Sequence, residues 1–198
     1  MRTFSYKVLL LGALVAVSPV TEAQTSAPPS GHEVELVVTY TAERSNLVTN
    51  PILWRQGAAF SLSGELYRGF GVGMNINGSR VSNIAGTGIN LTTVTTTFGP
   101  SYHWSPKSGR IAVFGEGLIG ESHGLDSVFP SAGGAQQDYN SFALQVGGGL
   151  DLRTKGRFAL RAIQADWIRT QFPNGTTNVQ NSLRLGAGIV LRLQRTKR

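Results

Sequence analysis

Residues 182–193 place Leu183, Leu185, Ala187, Ile189, Leu191 and Leu193 on one side of an extended chain. Ser182, Arg184, Gly186, Gly188, Val190 and Arg192 fall on the other. Only a period of two makes this separation, and that period is a β-strand's. A strand buried on both sides would not carry two arginines at regular places on one face. Residues 142–153 repeat the pattern, with Phe142, Leu144, Val146, Leu150 and Leu152 alternating against Gln145, Asp151 and Arg153. The chain must therefore keep an apolar side and a polar side apart along several strands.

Eight segments carry this signature, over approximately 34–43, 58–67, 70–78, 92–104, 111–120, 142–153, 158–170 and 182–193. Each is close to the roughly 9–11 residues that a tilted strand needs to cross a bilayer. Their connections alternate in length. Residues 44–57, 79–91, 121–141 and 171–181 are long, whereas 68–69, 105–110 and 154–157 are short. Membrane barrels show this parity when the chain begins on the side of the short turns. The expected fold is all-β, an eight-stranded antiparallel up-and-down transmembrane β-barrel over residues 34–193. Outside the N-terminus no window approaches the run of roughly 18 apolar residues that a membrane helix requires.

The N-terminus has the pattern of a secretory signal peptide. Arg2 and Lys7 precede the apolar run 8–17, and Thr21 and Ala23 mark cleavage after Ala23. The segmentation is then a signal peptide over 1–23, a flexible leader over 24–33, the barrel, and a basic tail over 194–198. The chain contains no Cys. Disulfides, thiol catalysis, cysteine metal sites and a cysteine-linked lipid anchor are thereby excluded.

Inside an eight-stranded barrel there is room for side chains and little else. The polar face predicts an interior charge network of Glu65, Glu116, Asp151, Arg161, Asp166, Arg184 and Arg192. Glu116 sets the register of its strand, because a charge facing lipid costs a few kcal/mol. That register turns Ile111, Val113 and Ile119 outward and Phe114 inward. Arg161, Gln164 and Asp166 share one face only if a β-bulge lies near Ile163. Tyr102, Trp104 and Trp167 are the candidate aromatics of the membrane interface.

No catalytic or metal site is expected. The three histidines are His32, His103 and His123, and none has a second His nearby to share a metal. Ser122, His123 and Asp126 begin the third long connection, but neighbours on a strand point to opposite faces, so a triad would need a bend. In the same connection His123 and Phe129 are candidate loop contacts, with Phe129-Pro130 forming an exposed tip. The formal net charge is +7, yet no continuous basic and aromatic stripe suits nucleic acid.

Four stretches, Phe98-Gly99-Pro100-Ser101-Tyr102, Val146-Gly147-Gly148-Gly149-Leu150-Asp151, Leu160-Arg161 with Asp166-Trp167, and the alternation from Leu183 to Leu193, resemble the OmpA-like outer-membrane β-barrels. The similarity is to the compact single-domain members, such as those of acidobacteria. It implies a monomer in the outer membrane, in contact with lipid and lipopolysaccharide, exported with periplasmic chaperones and inserted by the barrel assembly machinery. Such barrels commonly end on an aromatic residue, whereas Leu193 and a basic tail stand here. The implied role is non-enzymatic, structural or in surface interaction, without a cofactor. A narrow pore and a lipid-modifying enzyme are the alternatives.

Overall fold

A computed structural model describes residues 33–47, 53–106, 109–131, 133–154, 156–175 and 177–194. The signal peptide, residues 24–32 of the leader with His32, and residues 195–198 of the tail lie outside them. The strands are β1 (Glu33–Ser45), β2 (Leu53–Tyr67), β3 (Phe70–Val81), β4 (Leu91–Trp104), β5 (Ile111–Leu125), β6 (Phe129–Ser131), β7 (Gly134–Gln136), β8 (Tyr139–Arg153), β9 (Phe158–Thr170) and β10 (Gln180–Gln194). Eight of them close an antiparallel barrel in the order β1-β10-β9-β8-β5-β4-β3-β2, and β6 with β7 forms a small separate hairpin. Among the described residues no helix is long and apolar enough to cross a membrane.

The stagger of the barrel follows from its register. Partners lead from Glu35 through Ser63 and Gly73 to Gly99; the pairs Phe98 with Ile119 and Ser101 with Glu116 on either side set Gly99 level with Leu118, from which the path runs on through Gln145, Ile168 and Ser182. The path returns to β1 at Ser45, ten residues beyond its start. With ordinary strand spacings this stagger tilts the strands by about 40° and sets the backbone about 8 Å from the axis. Such a bore is filled by side chains that meet from opposite walls.

Alternation then sorts the residues. On β1, Glu35, Val37, Thr39, Thr41 and Glu43 are buried while Val38 and Tyr40 are exposed. Between its two rims the outward wall is apolar, as in membrane barrels, whose lipid-facing band is about 25 Å tall. Above that belt, toward the long connections, the outward residues turn polar at Arg44, Gln56, Arg80, Glu121 and Arg169, all exposed. At the opposite rim Tyr67, Phe70, Tyr102, Trp104 and Phe158 face outward.

The bulge is present on β9. Leu150 pairs with Ile163 but Asp151 pairs with Arg161, so Ala162 and Ile163 both face outward. Arg161, Gln164 and Asp166 consequently all point inward and are buried. The β2–β3 connection is a two-residue turn in which Arg68 (φ 48) and Gly69 (φ 87) both take positive φ, the geometry of the type I′ hairpin.

Strand ends differ from the sequence expectation at the long connections. β2 begins at Leu53 rather than 58, β5 runs to Leu125 rather than 120, and β8 begins at Tyr139 rather than 142. The ladder continues past the apolar belt. The apolar alternation that marks a strand in sequence fades where the outer face turns polar.

Candidate functional site: a filled lumen and its two ends

The lumen is occupied at three levels. At the centre, Arg161 on β9 grips Asp151 on β8 with two hydrogen bonds, Nε to Oδ1 at 2.9 Å and Nη2 to Oδ2 at 3.0 Å. Its guanidinium carbon lies 3.8 Å over the Phe114 ring. Arg161 also donates to Gln164 Oε1 at 3.1 Å. Gln164 Nε2 donates to Asp166 at 3.0 Å and to Glu116 at 3.4 Å. Arg184 on β10 donates to Asp166 at 3.0 Å and to Asn75 on β3 at 3.1 Å, and Asn75 donates to Ser61 at 2.8 Å. A second branch runs from Thr97 to Gln145 at 3.1 Å and from Gln145 to Glu116 at 2.8 Å.

Three carboxylates meet two guanidiniums in this network, and the two glutamine amides supply the remaining donors. Buried charges persist only when paired and hydrogen-bonded in this way. Room for the network comes from glycine. A Cβ on Gly147 would stand 2.0 Å from Asp166 Oδ1, and one on Gly149 would stand 2.7 Å from the Phe114 ring.

At the short-turn end a second charged group lines the mouth. Arg153 reaches Glu35 at 3.2 Å and Glu33 at 3.7 Å, and His103 Nδ1 lies 3.3 Å from Glu35. Arg192 donates to the carbonyls of Gly156 and Thr154 at 2.7 and 3.2 Å. Glu65 accepts the Gly69 amide at 2.8 Å, which fixes the β2–β3 turn. Of the seven residues assigned to an interior network, Glu116, Asp151, Arg161, Asp166 and Arg184 join at the centre, whereas Glu65 and Arg192 stand at the mouth.

The long-connection end is closed by apolar side chains. Leu53, Leu91, Phe129 and Phe172 form a buried cluster, with Leu47, Val81, Ile84 and Tyr139 packed against it. Phe129 stacks on Phe172 at 5.4 Å between ring centroids. Gln180 pins the β9–β10 connection over the lumen by accepting from the Phe172 amide at 2.7 Å and donating to its carbonyl at 2.8 Å. Just below, Arg55 pairs with Glu43 and donates to Thr93 at 3.0 Å. Above the cluster the connections leave a cleft of about 340 Å³ whose lining includes Leu47, Ile84, Ile89, Val128, Pro130 and Pro173.

Two sequence expectations fail here. Phe129 is not an exposed tip; it is 2% exposed, because the β6–β7 hairpin folds its ring over the lumen. His123 is not in a loop either, since β5 extends to Leu125. Its ring bonds to the Asn140 side chain, while Ser122 points inward and shares a hydrogen bond with Thr95 at 2.8 Å. Ser122 and His123 thus stand on opposite faces. Asp126 instead accepts a long hydrogen bond from Thr92 at 3.4 Å. Among the described residues no group of His, Asp and Glu is arranged to hold a metal.

Sequence reasoning missed Arg55 and Gln180. Arg55 and Gln180 both fell in segments read as connections, 44–57 and 171–181, whereas β2 begins at Leu53 and β10 at Gln180. Extending the β2 alternation backward through Ala59 and Gly57 would have turned Arg55 inward.

Tyr102 and Trp104 face outward at the short-turn rim, 41% and 52% exposed, and Trp167 faces outward toward the other edge of the belt.

This architecture is a closed, eight-stranded antiparallel β-barrel, the fold to which the OmpA-like resemblance pointed. Among solved structures, the attachment invasion locus protein Ail of Yersinia pestis is 20% identical with a TM-score of 0.52, over 81% of this chain and 99% of that one. Neisserial surface protein A is 14% identical with a TM-score of 0.54, over 82% of this chain and 97% of its own. At such identities the likeness is one of fold. No protein-family model matches the chain, and no curated protein sequence matches it.

Proposed function

We propose that this chain is a non-enzymatic, monomeric integral protein of the outer membrane with a sealed lumen, and that its role is structural or lies in surface interaction. In this reading residues 1–23 are removed on export and the barrel assembly machinery inserts the chain with its long connections outward. The apolar belt then contacts lipid, and the outermost polar ring meets lipopolysaccharide. The observation that carries the proposal is Arg184. It is 1% exposed and ties β10 to Asp166 on β9 and to Asn75 on β3, beneath a lid of Phe129 and Phe172. A water-filled path would have to break both layers.

Ail was solved with the heparin analogue sucrose octasulfate. The exposed arginines at that end, Arg44, Arg80 and Arg169, stand on the outer wall of the strands, and no basic residue lines the cleft between the connections, so a sulfated sugar finds no cation there. The cleft above the lid instead favours an uncharged or apolar surface. Planar-bilayer recording on the refolded chain tests the sealed lumen. A silent membrane is expected, and persistent, reproducible unitary steps would establish the narrow pore in its place. Recovery of the chain in the soluble periplasm, without heat-modifiable gel migration, would overturn the location.

A further inference from the structure

The connecting segments at the two ends of the barrel differ in charge, while the exposed arginines Arg44, Arg80 and Arg169 of the lid end stand on the strands themselves. The connections at the lid end, residues 46–52, 82–90, 126–138 and 171–179, hold no basic residue and two acids, Asp126 and Asp138. The turns at the other end, residues 68–69, 105–110 and 154–157, hold Arg68, Lys107, Arg110, Lys155 and Arg157 and no acid. Arg68, Arg110 and Arg157 are exposed, and among the described residues none of the three is in an ion pair. The acids nearest this end are otherwise engaged: Glu33 and Glu35 with Arg153, Arg192 and His103, and Glu65 with the Gly69 amide.

The position of these arginines says what they face. Each adjoins an outward apolar residue in sequence: Tyr67 before Arg68, Ile111 after Arg110 and Phe158 after Arg157. Those neighbours are 58%, 41% and 60% exposed. The Arg68 guanidinium lies 5.0 Å over the Tyr67 ring. All three turns therefore carry a guanidinium at the edge of the lipid-facing belt, at the depth where headgroups begin. A guanidinium there matches the paired oxygens of a phosphate. A soluble acidic partner would give no reason for the charges to sit at the belt's edge on three separate turns.

We infer that the short-turn rim binds the phosphates of anionic phospholipids in the leaflet it faces. The inference rests on the membrane reading above and names the lipid class that this end recognises.

Trp104 reports on this rim. With Trp54 and Trp167 replaced by Phe, the refolded chain is reconstituted in equimolar phosphatidylcholine and phosphatidylglycerol vesicles, with one lipid brominated at a time. Each variant is first shown to be heat-modifiable on gels. Brominated phosphatidylglycerol is expected to quench Trp104 with an apparent affinity about threefold or more above that of brominated phosphatidylcholine. The preference should fall to about one in R68Q/R110Q/R157Q, persist in R68K/R110K/R157K, and shrink in high salt. Equal quenching by both lipids in the starting protein, or an undiminished preference in the glutamine variant, overturns the inference while leaving the membrane reading intact. Absence of quenching by either lipid overturns both.

Discussion

Arg184 illustrates how much one side chain carries in a bore this narrow. Its guanidinium neutralises Asp166 and reaches across to Asn75. Removing it strands a carboxylate that is itself 1% exposed. Loss of one partner of a buried pair typically costs about 3–5 kcal/mol. Arg184→Met should therefore destabilise the barrel by about that amount in reversible urea unfolding from bilayers. Adding Asp166→Asn should restore part of it, since coupled neighbours depart from additivity by about 0.5–3 kcal/mol. Strict additivity of the two substitutions would show that the pair does not act as a unit. The inward direction of Arg184 was legible from alternation alone. Its partner Asn75, more than a hundred residues away, was not, because no local pattern encodes which positions on opposite walls share a height.

Among elements, β9 and the β6–β7 hairpin make opposite points. The bulge in β9 could be inferred because three polar residues broke a strict period and only one extra residue restores it. The hairpin could not. Phe129-Pro130 among Ser, Gly and Ala reads as an exposed turn, yet its ring fills the barrel mouth between Tyr139 and Phe172, at 6.0 and 5.4 Å between centroids. Gly124 beneath it leaves the space, since a Cβ there would lie 2.6 Å from Phe129 Cζ. Truncation of a buried Phe costs about 3–5 kcal/mol where the surroundings cannot relax. In a surface connection that loss should appear as local opening. Phe129→Ala is accordingly expected to speed protease cleavage within residues 126–138 severalfold while heat-modifiable migration persists. Unchanged cleavage would show that the lid does not hold the hairpin down.

The molecule as a whole is governed by the contrast between its two surfaces. An outward charge should be costly in the belt and tolerated at its edge. Val146→Arg, on the outer wall of β8 among apolar neighbours, is expected to destabilise by about 2–4 kcal/mol, whereas Gln56→Arg in the polar ring should cost about 0–1 kcal/mol. Urea unfolding from phospholipid bilayers measures both, and equal costs at the two sites would remove the case for a lipid-facing belt between them. The amino-acid order alone determined the number of barrel strands, the parity of long and short connections and the side to which most residues turn. Each of these follows from a period of two and from the local chemistry of turns. Only closure decided the rest. The ten-residue stagger chooses which inward groups meet, bringing Thr97 to Gln145 and Arg184 to Asn75. The shape of the open end chooses which loop side chains are drawn in to cover it. Those choices depend on distances around and across a ring, and such distances exist only once the first strand has paired with the last.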